Sequence, residues 1–278
     1  MKIMRNFAQG TDDWFQERLG RCTASNAGAI LDFTQKGVEG SKRHIYRLEI
    51  VAQILSGIPV QDKYVSPAMR AGTAGEPLAR AAYELEEGVM VEQVGIIIGD
   101  NDRCAYSPDG LVGENGAIEV KAPLTTTHLQ TLVSASIPEG NLPQLWFGFM
   151  VHSGLDWIDF ISRDGGMSID PAMFGAILPR RYLQMTVRLH RSECLAEIEK
   201  MRAATERFLA DVDATIERLN GICPELPPEP ERTAEDFGAF GITDADLAFL
   251  AEQGTIAIST KSERTSCTKQ NNPNDLPA

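Results

Sequence analysis

Nowhere in the 278 residues does an apolar run approach the about 18 residues that a membrane-spanning helix needs. The opening decapeptide MKIMRNFAQG also lacks the apolar core of a secretory signal, and together these absences predict a cytoplasmic protein. Cysteine is scarce: Cys22, Cys104, Cys194, Cys223 and Cys267 are odd in number, far apart and without a Cys-x-x-Cys pair. That argues against a disulfide framework, structural zinc or an iron–sulfur cluster. His44, His128, His152 and His190 are scattered without metal-ligand spacing. Gly72, Gly75 and Gly110 are not followed by Gly-Lys-Ser/Thr, so there is no phosphate loop. Asp100 and Asp102 resemble the start of an EF-hand, but Leu111 stands where its bidentate Glu belongs. No internal repeat is visible.

Positive charge is in deficit as well. The formal net charge is −13, which on its face opposes a nucleic-acid partner, whose phosphates call for Lys and Arg. The distribution softens the objection: residues 221–278 carry four basic and ten acidic side chains, whereas residues 1–60 carry eight basic and six acidic. A local positive surface is compatible with an acidic whole, and carboxylates gathered at a metal site would themselves add negative charge.

What is present centres on residues 107–123, SPDGLVGENGAIEVKAP. Pro108-Asp109-Gly110 turns the chain, and residues 118–121 read as a strand whose period of two puts Glu119 and Lys121 on one face. Between them Gly113-Glu114-Asn115-Gly116 is a hairpin signal that sets the two strands side by side. Mg²⁺ takes hard oxygens and keeps several waters, so the carboxylates of Asp109 and Glu119 plus a substrate phosphate suffice to hold it. The Lys121 ammonium would sit beside it, placed to orient a water or to offset charge gathering at phosphorus. The competing reading is a solvated hairpin edge of alternating charge. The flanking apolar residues, Val94, Ile96, Ile97 and Ile98 before and Ala117, Ile118 and Val120 within, favour a buried sheet with a polar site at its edge. The pattern Pro108-Asp109 then Glu119-Val120-Lys121 resembles the PD-(D/E)XK nuclease core.

Upstream, Thr11 caps a short helix that Gly20 closes, and residues 22–31 are expected to start a second helix. Arg18 and Ser25 fall at the junction, where free N–H groups attract anions and a phosphate would fit. An Arg18 surface ion pair with Ser25 as a simple cap is the alternative. The order Gly-Thr-x-x-Trp-x-x-x-Arg (10–18), Thr-Ala-Ser (23–25), Gly-x-x-x-Glu (72–76), Pro-Asp-Gly and Glu-Val-Lys-Ala-Pro is similar to that of the lambda-exonuclease or YqaJ-type viral recombinase family. The similarity continues through Pro143-Gln144 to Ser162, more than half of the chain.

That resemblance implies a Mg²⁺-dependent 5′-to-3′ exonuclease on linear double-stranded DNA, working as a ring-shaped homotrimer and leaving 3′ overhangs for a single-strand annealing protein in phage-type recombination. Mn²⁺ would substitute for Mg²⁺, with two ions per site. The family's catalytic residues carry over onto Glu76, Asp109, Glu119 and Lys121. Its metal ligands carry over onto Asp109, Glu119 and the Val120 carbonyl, with Glu76 reaching through water, and its 5′-phosphate contacts onto Arg18 and Ser25. Gln144 is a further candidate near the site, although relatives carry Gln-x-Gln there and this chain has Trp146 in the second position. A PD-(D/E)XK endonuclease, a Cas4-like nuclease and a non-catalytic DNA-end or partner-binding module are the alternatives; the Cas4 type needs clustered cysteines, and a dead site would have lost one of Asp109, Glu119 or Lys121.

The expected fold is α/β, a PD-(D/E)XK core with a mixed central β-sheet flanked by helices over residues 1–220. Residues 41–56 are expected as a helix packing through Ile45, Leu48, Val51, Ala52 and Leu55, with Lys42, Arg43 and Arg47 turned to solvent or to DNA. Residues 67–87 are expected as a helix with Leu78, Ala82 and Leu85 on its inner stripe. Residues 125–135 and 143–151 are read as helices, 156–162 as a half-buried strand, 184–190 as an edge strand, and 192–219 as a long amphipathic helix. Trp14, Trp146 and Trp157 are expected in the core rather than stacked on bases. Residues 221–278 form a stiff Pro-rich acidic linker, a short helix over 242–253 and a disordered tail.

Overall fold

The structure, a computed structural model, describes residues 1–59, 67–166, 178–223 and 243, with the backbone alone over 67–74. The chain divides into two units, Met1–Arg218 and Leu219–Ala278. In the second the Pro-rich linker, the helix expected over 242–253 and the tail lie outside the described residues, apart from Thr243. In chain order the elements are β1 (Lys2–Met4), α1 (Asp12–Arg18), β2 (Cys22–Thr23), α2 (Ala27–Ile30), α3 (Ser41–Ser56), α4 (Pro67–Glu87), β3 (Val91–Glu92), β4 (Ile96–Ile98), β5 (Cys104–Tyr106), β6 (Gly110–Val112), β7 (Gly116–Lys121), α5 (Thr125–Ser134), α6 (Leu142–Val151), β8 (Trp157–Arg163), β9 (Gln184–His190) and α7 (Leu195–Ile222).

This is the expected α/β class, but the strands sort into two mixed sheets rather than one. A four-stranded sheet has the order β1-β4-β5-β2 and a five-stranded sheet the order β3-β6-β7-β8-β9. The break falls between β5 and β6 at Ser107-Pro108, where proline removes a ladder donor and turns the chain. In the second sheet β7 and β8 run parallel, with Lys121 beside Ser162, while β6–β7 and β8–β9 are antiparallel.

Strand β7 alternates as its sequence dictates. Ile118 and Val120 pack on Ala79 and Tyr83 of α4 together with Val112 and Ile161, and Glu119 and Lys121 take the opposite face. Strand β8 buries every residue from Ile158 to Ser162, because it lies between β7 and β9 and both α4 and α5 contact it. It therefore buries Asp159 and Ser162, and both are bonded. Asp159 accepts from the Tyr83 hydroxyl at 2.7 Å and from two Arg188 nitrogens at 2.7 Å each. Ser162 bonds His128 Nδ1 at 2.8 Å.

Three local expectations are corrected. Cys22 and Thr23 form β2, parallel to β5, not the start of a helix; a single turn over Ala24–Asn26 then leads into the short α2. Helix α3 turns Arg43, Tyr46, Ile50 and Val51 inward, while Ile45, Leu48 and Leu55 are exposed. The polar-tipped residues win the core face because each finds partners there. The Tyr46 hydroxyl accepts from the Thr23 N–H at 2.9 Å, and Arg43, 3% exposed, pairs with Glu39 and Asp211 at 2.6 Å each between the rings of Phe33 and Phe208. Arg43 and Arg47, the latter held by Glu39 at 2.8 Å, are thus spent on internal pairs. In α4, likewise, Ala79 and Tyr83 face the sheet, whereas Leu78 and Leu85 are exposed.

The remaining helices fall where expected. The Thr11 side chain accepts from Trp14 N to cap α1, and Gly20 follows it with φ +66°. Among the described residues Cys22, Cys104, Cys194 and Cys223 are free thiols, and no helix is long and apolar enough to cross a membrane.

Candidate active site

The β6–β7 hairpin brings the predicted carboxylates together. The Asp109 N–H donates to the Ile118 carbonyl at 3.2 Å, and Asp109 Oδ2 accepts from the Val120 N–H at 2.6 Å. Asp109 is thereby held across from Glu119. Glu119 is 2% exposed, and its Oε1 accepts from Lys121 Nζ and from Gln144 Nε2, each at 2.6 Å. Gln144 reaches in from α6, so this further candidate is at the site through Glu119 itself. Trp146 is half-buried on the same helix. The other oxygen, Glu119 Oε2, is buried with no partner among the described residues.

Helix α4 supplies Glu76. Gly75 makes this possible, since a Cβ there would sit 2.9 Å from the Ala122 Cβ; without one, the helix comes close against the chain just past Lys121. Glu76 lines two cavities. One, of about 430 Å³, is shared with Asp109, Arg80, Gln93, Arg5 and Gln9; the other, of about 490 Å³, is shared with Lys121, Val120, Thr127, Asn141 and Ser162.

Crowding of these carboxylates shows in their proton affinities. Burial, then Glu119 and Glu76, push the Asp109 carboxyl well above its ordinary range, against the pull of the Val120 N–H and Lys121. Burial also raises Glu76, with Arg80 and Lys121 opposing it. For Lys121 burial works downward, but Glu119, Asp109 and Glu76 more than offset it, and its pKa stays above the ordinary lysine value. The ammonium form is therefore favoured at neutral pH.

An excess of negative charge with an unpartnered, buried carboxylate oxygen is the environment a hard cation relieves. Among the described residues no three His, Cys, Asp or Glu side chains close a metal cage. The donor set is instead Asp109 and Glu119, with Glu76 nearby. That fits Mg²⁺, which needs only one or two carboxylates beside waters and substrate phosphate.

Arg18 and Ser25 also come together. Arg18 Nη2 donates to Ser25 Oγ at 3.3 Å and to Thr23 Oγ1 at 3.4 Å, and its guanidinium lies 4.2 Å from the Trp14 ring centroid. Burial lowers the Arg18 pKa, and among the described residues no carboxylate pairs with it. The ion-pair alternative for Arg18 is therefore not what the chain adopts. Trp14 Nε1 donates to Ser107 Oγ at 2.9 Å and Gln9 Nε2 to the Pro108 carbonyl at 2.8 Å, so the Arg18 cluster is tied to the turn that carries Asp109. Thr23 and Trp14 were not expected in this role. The available signal was spacing, because Trp14 precedes Arg18 by four residues on one helix face.

Residues 13–153 match the model of the YqaJ-like viral recombinase domain. The chain belongs to this family. An alkaline exonuclease from Laribacter hongkongensis, LHK-Exo, is 33% identical and superposes with a TM-score of 0.62 over 76% of this chain and 96% of that one. A second structure of the same exonuclease, in complex with dAMP, gives the same figures of 33%, 0.62, 76% and 96%. A phage-related exonuclease from Haemophilus somnus 129PT shares the fold at 13% identity, with a TM-score of 0.52 over 72% of this chain and 96% of that one. No curated protein matches the chain. The fold is thus the PD-(D/E)XK-like fold of these exonucleases, and the YqaJ-like match includes Arg18, Ser25, Glu76, Asp109, Glu119, Lys121 and Gln144.

Proposed function

We propose that the protein is a Mg²⁺-dependent exonuclease that degrades the 5′-ended strand of linear duplex DNA and leaves 3′ overhangs. The nuclease class rests on family membership. The observation that carries the reading to this chain is that Lys121 and Gln144 converge on one oxygen of Glu119, across from Asp109, while the other oxygen of Glu119 is buried with no partner among the described residues.

In this reading Asp109, Glu119 and the Val120 carbonyl hold the metal, with Glu76 contributing through water; two Mg²⁺ ions, or Mn²⁺ in their place, would serve. When bound, the ions supply positive charge to the attacking and leaving oxygens of an in-line displacement. The chain's own residues do the rest. The Val120 N–H fixes the Asp109 carboxylate and Gln144 fixes that of Glu119. Lys121, kept as an ammonium, orients the attacking water and offsets charge on the phosphoryl oxygens. Arg18, Thr23 and Ser25 would receive the 5′-phosphate. A cytoplasmic location, a homotrimeric assembly and delivery of the 3′ overhang to a single-strand annealing protein in phage-type recombination belong to the same proposal.

The test is digestion of linear duplex with and without a 5′-phosphate, beside a covalently closed circle, in Mg²⁺ and in EDTA. Loss of the linear 5′ strand in Mg²⁺ alone is expected, with the circle intact. Cutting of the circle would replace the exonuclease by an endonuclease on the same core.

A further inference from the structure

The cavity shared by Asp109 and Glu76 contains a cation for which the proposed function has no use. Arg80 lies one helical turn beyond Glu76 on α4, so the two side chains share a face. With the Gln93 amide oxygen turned toward it, that oxygen accepts from Arg80 Nη1 at 2.7 Å and from Nη2 at 3.1 Å. Nε is buried and has no partner among the described residues. Among the described residues no carboxylate forms an ion pair with Arg80. The other cation of the cavity, Arg5, is bound to Glu92 at 2.6 Å and half-exposed at the rim.

A guanidinium gripped by a neutral amide, with a buried donor left over, keeps its charge for something that enters the cavity. The space of about 430 Å³ is within the roughly 300–1,000 Å³ of sites that take small ligands or one unit of a polymer. Its walls also include Asp109 and Glu76, so an anion entering there needs a cation to offset them. Lys121 does this in the second cavity, which Glu76 also lines. A planar fork with a free donor suits phosphate oxygens better than a point charge does.

We propose that Arg80, preset by Gln93, binds a phosphodiester of the substrate DNA strand next to the one being cleaved, so that the strand runs from the Arg80 cavity past Glu76 to Lys121. This rests on the nuclease reading and adds a substrate contact to it. The rival role, a counter-charge for Glu76 alone, makes different predictions.

The experiment compares the full-length parent with Arg80→Gln and Arg80→Lys. Equilibrium binding to linear duplex is measured by anisotropy in EDTA over a range of salt, and steady-state cleavage over a range of Mg²⁺. Loss of one phosphate contact should lower the slope of log K against log salt by about 0.9 for duplex or about 0.7 for a single strand. KM for DNA should rise about tenfold or more in Arg80→Gln and less in Arg80→Lys, with the Mg²⁺ concentration for half-activity unchanged. An unchanged salt slope and KM in both variants, or a shifted Mg²⁺ midpoint with binding intact, overturns the proposal and leaves Arg80 as the partner of Glu76. A parent that neither binds nor cuts linear duplex would instead overturn the nuclease reading itself. Arg80→Lys, which keeps the positive charge, guards against a fold defect in Arg80→Gln.

Discussion

Asp109 sets function against stability. Its folded pKa lies above the ordinary 3.8, so the folded chain binds the proton more tightly than the unfolded chain, and metal-free stability falls as pH rises from about 3.8 through the folded value. Removing the charge should therefore help the metal-free fold. Asp109→Asn is expected to raise the Tm of the metal-free protein at pH 7 by a few degrees while abolishing cleavage. Mg²⁺ should raise the Tm of the parent and not that of the variant. A lower Tm in Asp109→Asn would mean that the bond from the Val120 N–H outweighs the repulsion from Glu119. Lys121 makes a second, separable prediction. Because its charged form is favoured, its benefit falls on charge developing in the transition state, and Lys121→Ala should slow the single-turnover step by about 10²-fold or more. DNA affinity should change little; equal losses in both would make Lys121 a substrate-holding residue.

At the scale of elements, the parts legible in the sequence were those whose signals are local. The Thr11 cap and Gly20 bounded α1, the Gly113–Gly116 turn fixed the hairpin, and its register placed Asp109 opposite Glu119. What was not legible depended on distant partners. The inward faces of α3 and α4 were assigned from aliphatic spacing, but Arg43 and Tyr46 entered the core because Asp211, Phe208 and Thr23 meet them from elsewhere in the chain. Asp159 could be buried because Tyr83 and Arg188 reach it from α4 and β9. No window of one helix contains that information. The same pairing gives α3 a pH dependence. Glu39 is held down to about 2, chiefly by its hydrogen bond to Arg47 and then by Arg43 and His44, so it stabilises the fold above its ordinary 4.5 and that contribution is lost as pH falls toward 2. Glu39→Gln should therefore lower the urea midpoint at pH 6 and lower it by much less at pH 2.5, where only part of that contribution remains. A loss of equal size at both values would assign the effect to packing.

For the whole molecule the acidic balance ceases to be an objection once charges are traced to partners. The positive surplus of residues 1–60 does not make a DNA surface from Arg43 and Arg47, which are paired internally. Among the described residues the cations beside the candidate site are held individually: Lys121 on Glu119, Arg80 on Gln93, Arg5 on Glu92, and Arg18 on Trp14. Arg18 is joined to the candidate site through Trp14, Ser107 and the turn to Asp109, an arrangement suited to holding a strand end at a fixed distance from the bond to be cut. A terminal phosphate carries more charge than a diester, and a charge-assisted hydrogen bond to it is worth about 1.5–3 kcal/mol before screening. Arg18→Ala should thus shrink the preference for 5′-phosphorylated over 5′-hydroxyl ends by about tenfold or more, while salt continues to weaken DNA binding in both proteins through the remaining backbone contacts. Initial rates on the two kinds of end, with parent and variant side by side, give the ratio directly. If Arg18→Ala keeps the full preference, Arg18 serves only to pack on Trp14, and the end of the strand is gripped elsewhere.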